Sequence, residues 1–258
     1  MKASSFSVRM NKAYFRFYAS LNDFLLPDRK QSCFIHTFKD RASIKDMIEA
    51  LGVPHTEIDL ILVNGESVDF LYSVKDTDYI SIYPPFESLD ISPLSKVRPH
   101  PLGQFCFILD THLGKLSAYL RLLGFDTLYR NNYKDEELAD LSREGRILLT
   151  RDVGLLKRSI VTHGYWLRET NLRKQLIELF NRFDLLSAIA PFQRCIKCNG
   201  LLKPIQKEAI NDRLLPKTKN YYNEFHICPS CNQIYWKGSH YERMQQFIGS
   251  FLDYLIRK

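Results

Sequence analysis

The chain has 258 residues and a formal net charge of +7, with 45% hydrophobic, 13% aromatic and 25% charged residues. These are ordinary globular proportions, which exclude long disorder, collagen-like repeats and a coiled-coil rod, and the length exceeds one domain of about 150 residues. No apolar run approaches the roughly 18 residues of a membrane helix, so no membrane partner is expected. The first thirty residues interleave Arg9, Lys12, Arg16 and Asp23 with apolar positions. That pattern argues against a secretory signal and predicts a cytoplasmic protein with reduced thiols.

At the N-terminal end, Ala13 to Phe17 and Tyr79 to Tyr83 alternate as half-buried strands do, and Ile61 to Val68 reads as a hairpin about Asn64-Gly65, a pair suited to a type I′ turn. Ser43 with Asp46 three residues later opens a helix through Leu51, stopped by Gly52 and Pro54. Residues 1–92 are therefore an α+β unit. In Val63-Asn64-Gly65, Val68-Asp69 and Asp78-Tyr79-Ile80-Ser81-Ile82-Tyr83-Pro84 it resembles ubiquitin-like β-grasp domains related to small sulfur carriers. Those carriers act through a free terminal Gly-Gly, whereas this chain runs on through Pro84-Pro85. The resemblance thus implies a structural module, or one on which a protein partner docks.

Five of the eleven prolines, Pro84, Pro85, Pro93, Pro99 and Pro101, crowd the next stretch, and residues 93–103 read as a linker. Charge changes sign here. Up to Leu94 there are 10 Lys+Arg against 13 Asp+Glu; beyond it there are 26 against 16. A surplus of that size in the second part suits a polyanionic partner, because each phosphate neutralised by Lys or Arg releases counterions.

Residues 104–190 switch to βαβ patterning. Phe105 to Leu109 is a continuous apolar run, as in a parallel strand buried on both faces. Leu113, Leu116, Leu120 and Leu123 form a helical stripe closed by Gly124; Phe125 to Tyr129 is a second strand, Asp135 to Arg143 a second helix, and Ile147 to Thr150 a third strand. The expected core is doubly wound α/β. Leu172 to Leu186 reads as a packing helix.

In such sheets the ligand crevice lies at the carboxyl ends of the strands. Asp110 and Asp152 sit there, and Asp135, in the first turn of the second helix, can reach the same edge. Three like charges gathered at short range are stable chiefly around a hard cation, Mg²⁺ or Mn²⁺. Taken singly, Asp135 and Asp152 also suit helix caps. No Gly-rich phosphate loop follows any strand.

Phe107-Ile108-Leu109-Asp110, Leu113-Gly114-Lys115-Leu116, Leu120-Arg121-Leu122-Leu123-Gly124-Phe125-Asp126, Asp135-Glu136-Glu137-Leu138, Arg146-Ile147-Leu148-Leu149-Thr150-Arg151-Asp152 and Leu155-Leu156-Lys157 resemble the Mut-seven C-terminal RNase family, a PIN-like nuclease group. The resemblance implies a PIN-like (Rossmann-like) parallel-sheet core between a β-grasp domain and a zinc ribbon, with Asp110, Asp135 and Asp152 as catalytic metal-holding acids. Glu136, Glu137 and Asp126 are the candidates for a fourth acid. It also implies metal-assisted hydrolysis of an RNA phosphodiester. Lys115, Arg121, Arg151, Lys157 and Arg158 are candidates for holding the RNA backbone. Lys115 and Arg121 stand about 120° apart on a helical wheel, so at most one faces the acids.

The last unit, residues 191–258, carries Cys195-Ile196-Lys197-Cys198 and Cys228-Pro229-Ser230-Cys231, four thiolates in two C-x-x-C pairs that suffice to close a tetrahedral structural Zn²⁺ site. Asn199-Gly200 and Asn232 follow the pairs and tolerate the left-handed backbone that metal knuckles need. Cys33 and Cys106 lie in apolar stretches and read as core thiols. Basic residues interleave here with Tyr221, Tyr222, Tyr235 and Trp236, a pattern that fits single-stranded RNA or a mini-core beside the zinc. The expected function is a metal-dependent ribonuclease. The competing readings are an RNA-binding or ribosome-associated adaptor with little catalysis, and a DNA-binding regulator.

Overall fold

The computed structural model describes residues 10–86, 91, 93–97 and 104–257. The chain forms two compact units, Met1–Gly103 with Asp152–Trp166, and Gln104–Arg151 with Leu167–Lys258.

In the first unit the elements run β1 (Asn11–Phe17), β2 (Phe34–Phe38), α1 (Ile44–Ala50), β3 (Leu60–Val63), β4 (Glu66–Ser67) and β5 (Tyr79–Tyr83). Their sheet has the order β2-β1-β5-β3-β4, with β1 and β5 parallel and the other neighbours antiparallel. The period-two pattern sends Ala13, Phe15 and Phe17 of β1 inward beside Ile80 and Ile82 of β5 and Ile61 and Val63 of β3. Onto that face α1 lays Ile44, Met47 and Ile48. Its start is the expected cap, with the Asp46 N–H donating to Ser43 Oγ at 3.1 Å. At the hairpin, Asn64 (φ 52°) and Gly65 (φ 90°) both take positive φ, as a type I′ turn requires. Buried Asp78 ties this end together, accepting from the Asn64 amide, the Tyr72 hydroxyl and the Lys75 N–H.

Part of the Pro-rich stretch is fastened to the sheet. Ser67 Oγ donates to Leu94 O, Ser95 Oγ donates to Asp59 O, both at 2.6 Å, and Val97 enters the core. Pro99 and Pro101 lie outside the described residues.

Further along come β6 (Cys106–Leu109), α2 (Gly114–Leu122), β7 (Asp126–Leu128), α3 (Asp135–Ser142) and β8 (Ile147–Thr150), all in the second unit. Strand β6 pairs in parallel with both β7 and β8. Phe107, Ile108 and Leu109 and all four residues of β8 are buried, which is the reason these strands read as unbroken apolar runs. The next elements, α4 (Val153–Leu156) and β9 (Gly164–Trp166), belong to the first unit. From Leu167 the chain continues the second unit with α5 (Leu172–Arg182), β10 (Lys203–Ile205), α6 (Pro216–Tyr221), β11 (Phe225–Ile227), β12 (Ile234–Trp236) and α7 (Ser239–Ile256).

Helix α5 is the anticipated packing helix, capped by Asn171 and shorter than expected at its C-terminal end. Helix α7 was not anticipated: its Phe251 meets Phe180 of α5 at a centroid distance of 5.1 Å, and its Phe247 meets Tyr119 of α2 at 4.7 Å. The cysteine module is therefore anchored to the α/β core by aromatic contacts. The three antiparallel strands β10-β11-β12 and the α6 region enclose a mini-core of Ile210, Leu214, Phe225 and Ile234, which accounts for the long gap between the C-x-x-C pairs.

Two cysteines depart from expectation. Cys33 is exposed just before β2, and Cys106 is half-buried at the first position of β6, where burial and the nearby Asp126 charge push its thiol up. Apolar neighbours in sequence did not place either side chain on the inner face. No helix among the described residues is long and apolar enough to cross a membrane.

Candidate functional site

Parallel strands present their carboxyl ends at one edge, and Asp110 follows β6 directly. Its Oδ1 accepts the Thr111 N–H at 2.6 Å, and its Oδ2 accepts the Thr150 hydroxyl at 2.7 Å, from the last residue of β8. The Thr111 hydroxyl also donates to Oδ1, at 3.2 Å, so both carboxylate oxygens are oriented. The adjoining helix starts close by because Gly114 has no side chain: a Cβ there would lie 2.7 Å from the Tyr129 hydroxyl, which donates to Thr111 O.

Asp135 is exposed at the first position of α3, among the acids of a first turn that includes Glu136 and Glu137. Asp152 is exposed two residues beyond β8 and caps α4 by accepting the Gly154 N–H at 2.7 Å. Of the candidates for a fourth acid, Glu137 accepts the Lys134 N–H in a capping interaction, while Asp126 is enclosed by cations. Arg146 lies 2.6 Å and Arg194 3.3 Å from its oxygens, and the Asn199 amide donates to it at 3.0 Å. Burial works to raise the Asp126 carboxyl. The Arg146 and Asn199 hydrogen bonds and the two guanidinium charges outweigh it and hold the group below the usual carboxylate range.

The basic candidates separate. Lys115, Arg151 and half-buried Arg158 occupy positions flanking the acids in sequence. Lys157 is half-buried and donates to Glu49 O at 2.7 Å within the first unit. Arg121 requires a correction: it is 3% exposed, and its guanidinium donates to Thr127 O, Ile196 O and Lys197 O at 2.9–3.1 Å. The wheel position that turned it away from Lys115 turned it inward, onto carbonyls that no local pattern announces. Its hydrogen bonds make Arg121 a strut between β7 and residues 196–197.

Two of those carbonyls, of Ile196 and Lys197, belong to the first cysteine knuckle. Cys195, Cys198, Cys228 and Cys231 have all four Sγ atoms within 4.8 Å of one another, the one such group of three or more Cys, His, Asp or Glu donors among the described residues. Each loop is closed alike: the Asn199 N–H donates to Cys195 O and the Asn232 N–H to Cys228 O, and both Asn take positive φ, 72° and 58°. Gly200 has no positive φ; it admits the opposite knuckle, since a Cβ there would stand 2.9 Å from Cys228 Sγ. Thiolates about 2.3 Å from a tetrahedral zinc lie about 3.8 Å apart, and here the Cys198–Cys228 and Cys195–Cys231 sulfurs stand at 3.3 and 3.6 Å. The set fits a metal ion such as zinc.

Burial pushes the Cys198 thiol up to about 12. Burial also opposes ionisation of Cys228, but N–H groups of Cys231 and Ser230 and the Cys198 thiol draw it down to about 7. Tyr235 Oη lies 3.0 Å from Cys195 Sγ, a support that the aromatic pattern alone did not distinguish from a stacking platform. Tyr222 packs on the mini-core, whereas Tyr221 and Trp236 are exposed. Thr150 was also missed; its signal was a hydroxyl ending an otherwise apolar strand.

Compared with known families, residues 106–248 match the Mut7-C RNAse domain, and residues 10–90 match the Mut7-C ubiquitin domain. The first match covers more than half of the chain. No curated protein and no solved structure gives a match.

Proposed function

We propose that this chain, which belongs to the Mut7-C RNAse domain family, is a metal-dependent ribonuclease that hydrolyses RNA phosphodiester bonds. The observation that carries the reading is the family match over residues 106–248. The oriented carboxylate of Asp110, at the edge where β6 and β8 end, supports it. Asp110, Asp135 and Asp152 are the proposed acids, a hard oxygen donor set of the kind Mg²⁺ or Mn²⁺ takes. When bound, such an ion lowers the pKa of a water and neutralises charge developing on the phosphate oxygens.

The chain's own part is to orient and to hold. The Thr150 hydroxyl and the N–H and hydroxyl of Thr111 orient the Asp110 carboxylate. Lys115, Arg151 and Arg158 are the proposed contacts to the RNA backbone, supplying charge without base selectivity. Glu136, Glu137 and Asp126 are the candidates for a fourth acid, and of these Glu137 also accepts the Lys134 N–H and Asp126 also pairs with Arg146. The cysteine quartet is proposed to hold one structural Zn²⁺ with no position for water.

Purified protein incubated with labelled RNA and DNA in Mg²⁺, Mn²⁺ or EDTA tests the proposal. RNA cleavage that needs the ion and is lost in Asp110→Asn and Asp152→Asn, with RNA binding retained, upholds it. Equal cleavage by wild type and both variants rejects the site.

A further inference from the structure

Asp152 opens a segment, through Trp166, that belongs to the first compact unit although the family's nuclease domain spans it. Within that unit three polar ties cross more than a hundred residues of sequence. His55 Nε2 lies 2.8 Å from Val161 O, with its Nδ1 2.6 Å from Glu49 Oε1. The Trp166 N–H donates to Glu57 Oε1 at 2.7 Å, and Lys157 Nζ donates to Glu49 O at 2.7 Å. The Phe24 ring stands 4.9 Å from that of Trp166.

His55 is 7% and Glu57 1% exposed. Polar groups so deep are retained at a desolvation cost that only good partners offset. Two of the ties, at Val161 and Trp166, seize main-chain atoms, so they fix the path of the backbone whatever side chains it carries. His55 and Glu57 are the first and last residues of the short turn between α1 and β3 of the β-grasp framework.

We propose that the β-grasp unit is a positioning element of the nuclease, in which His55, Glu49 and Glu57 hold the segment whose first residue is Asp152. The inference rests on the reading of Asp152 as a member of the acidic site. It gives the N-terminal unit a role inside the enzyme, distinct from docking an external partner. None of the three is a catalytic residue; each acts through the backbone it fixes.

The test uses the full chain. Glu57→Leu removes the acceptor for the Trp166 N–H, and Glu57→Gln keeps one. Hydrogen exchange followed by mass spectrometry is expected to show peptides from 153–166 opening at least about tenfold faster in E57L, with β1 and β5 unchanged. On RNA, kcat should fall about a hundredfold with KM within about twofold, as misplacement of one acid predicts. E57Q should restore both readouts. Should E57L fail to fold, Lys157→Met removes a tie at a half-buried position and should move both in the same direction, by a smaller factor. Wild-type exchange in this segment, or faster exchange with undiminished kcat, overturns the proposal. Loss of cleavage in D110N alongside full activity in E57L would sink positioning alone. A wild-type protein inert toward RNA would sink the nuclease reading, and the exchange arm alone then decides whether the tether exists.

Discussion

The Thr150 hydroxyl donates to Asp110 Oδ2 at 2.7 Å, joining the last residue of β8 to the residue that ends β6. Thr150 is fully buried, so water offers no easy substitute for that bond. Replacing it with valine keeps the shape and removes the donor. Partners of this kind set ligand orientation, and losing one costs about 10–100-fold in metal affinity or activity. Thr150→Val should therefore weaken Mn²⁺ binding, followed by electron paramagnetic resonance, and the single-turnover rate by a factor in that range. Thr150→Ser should stay near wild type. A valine variant with unchanged Mn²⁺ affinity and rate would remove Asp110 orientation from the mechanism.

Arg121 and Lys115 were equivalent candidates in the sequence and are opposites in the structure, one 3% exposed and the other on the surface. Arg121→Met leaves three carbonyls without their cationic donor, two of them in the cysteine knuckle. Stability should drop by about 3 kcal/mol in urea unfolding, since hydrogen bonds to charged groups are worth about 1.5–3 kcal/mol. The salt dependence of RNA binding should not change. Lys115→Ala should do the reverse, leaving stability intact and lowering the slope of log K against log salt by about 1. A lowered slope in R121M with normal stability would restore Arg121 to the RNA surface.

For the cysteine quartet, metal analysis of the purified chain should find about one zinc per molecule, lost in Cys195→Ser together with thermal stability. Tyr235→Phe removes the hydroxyl 3.0 Å from Cys195 Sγ and should weaken zinc retention against a competing chelator by about tenfold. The effect should extend beyond the knuckle. Asn199 accepts the Thr127 N–H through Oδ1 at 3.0 Å, so stripping the metal should lower amide protection of β7. A stable, metal-free protein with β7 fully protected would exclude the assignment.

Local rules carried much of the fold. Asn64-Gly65 gave its turn, Ser43 its cap, and the runs at 106–109 and 147–150 their buried parallel strands, because each depends on neighbours a few residues away. The cysteine knuckles were legible for the same reason, down to the left-handed Asn199 and Asn232. What escaped depends on distant partners. Nothing near Glu57 announces Trp166, 109 residues away, and nothing near Arg121 announces Lys197, 76 residues away. At the acidic edge the residue types were readable, but Thr150 became visible only once β6 and β8 were paired. Helix α7 lacks a strict apolar stripe, with Ile248 and Phe251 its buried positions, and its identity comes from packing.

Asp126 supplies a pH dependence of stability that is separable from catalysis. Its folded carboxyl lies below the usual range because Arg146, Asn199 and Arg194 favour the charged form more than burial disfavours it. For a carboxyl depressed on folding, the unfolded chain binds the proton more readily, so the stabilisation is present above the unfolded value near about 4 and fades as pH falls toward the folded one. Asp126→Asn keeps the shape and deletes that term. Urea midpoints should place the variant about 2 kcal/mol below wild type at pH 7, from lost hydrogen bonds to a charged acceptor. The gap should narrow steadily below about pH 4 as wild type loses the same charge by protonation. An identical gap at neutral and acid pH would mean that the ion pairs of Asp126 contribute nothing, and that its side chain stabilises β7 by packing and neutral hydrogen bonds alone.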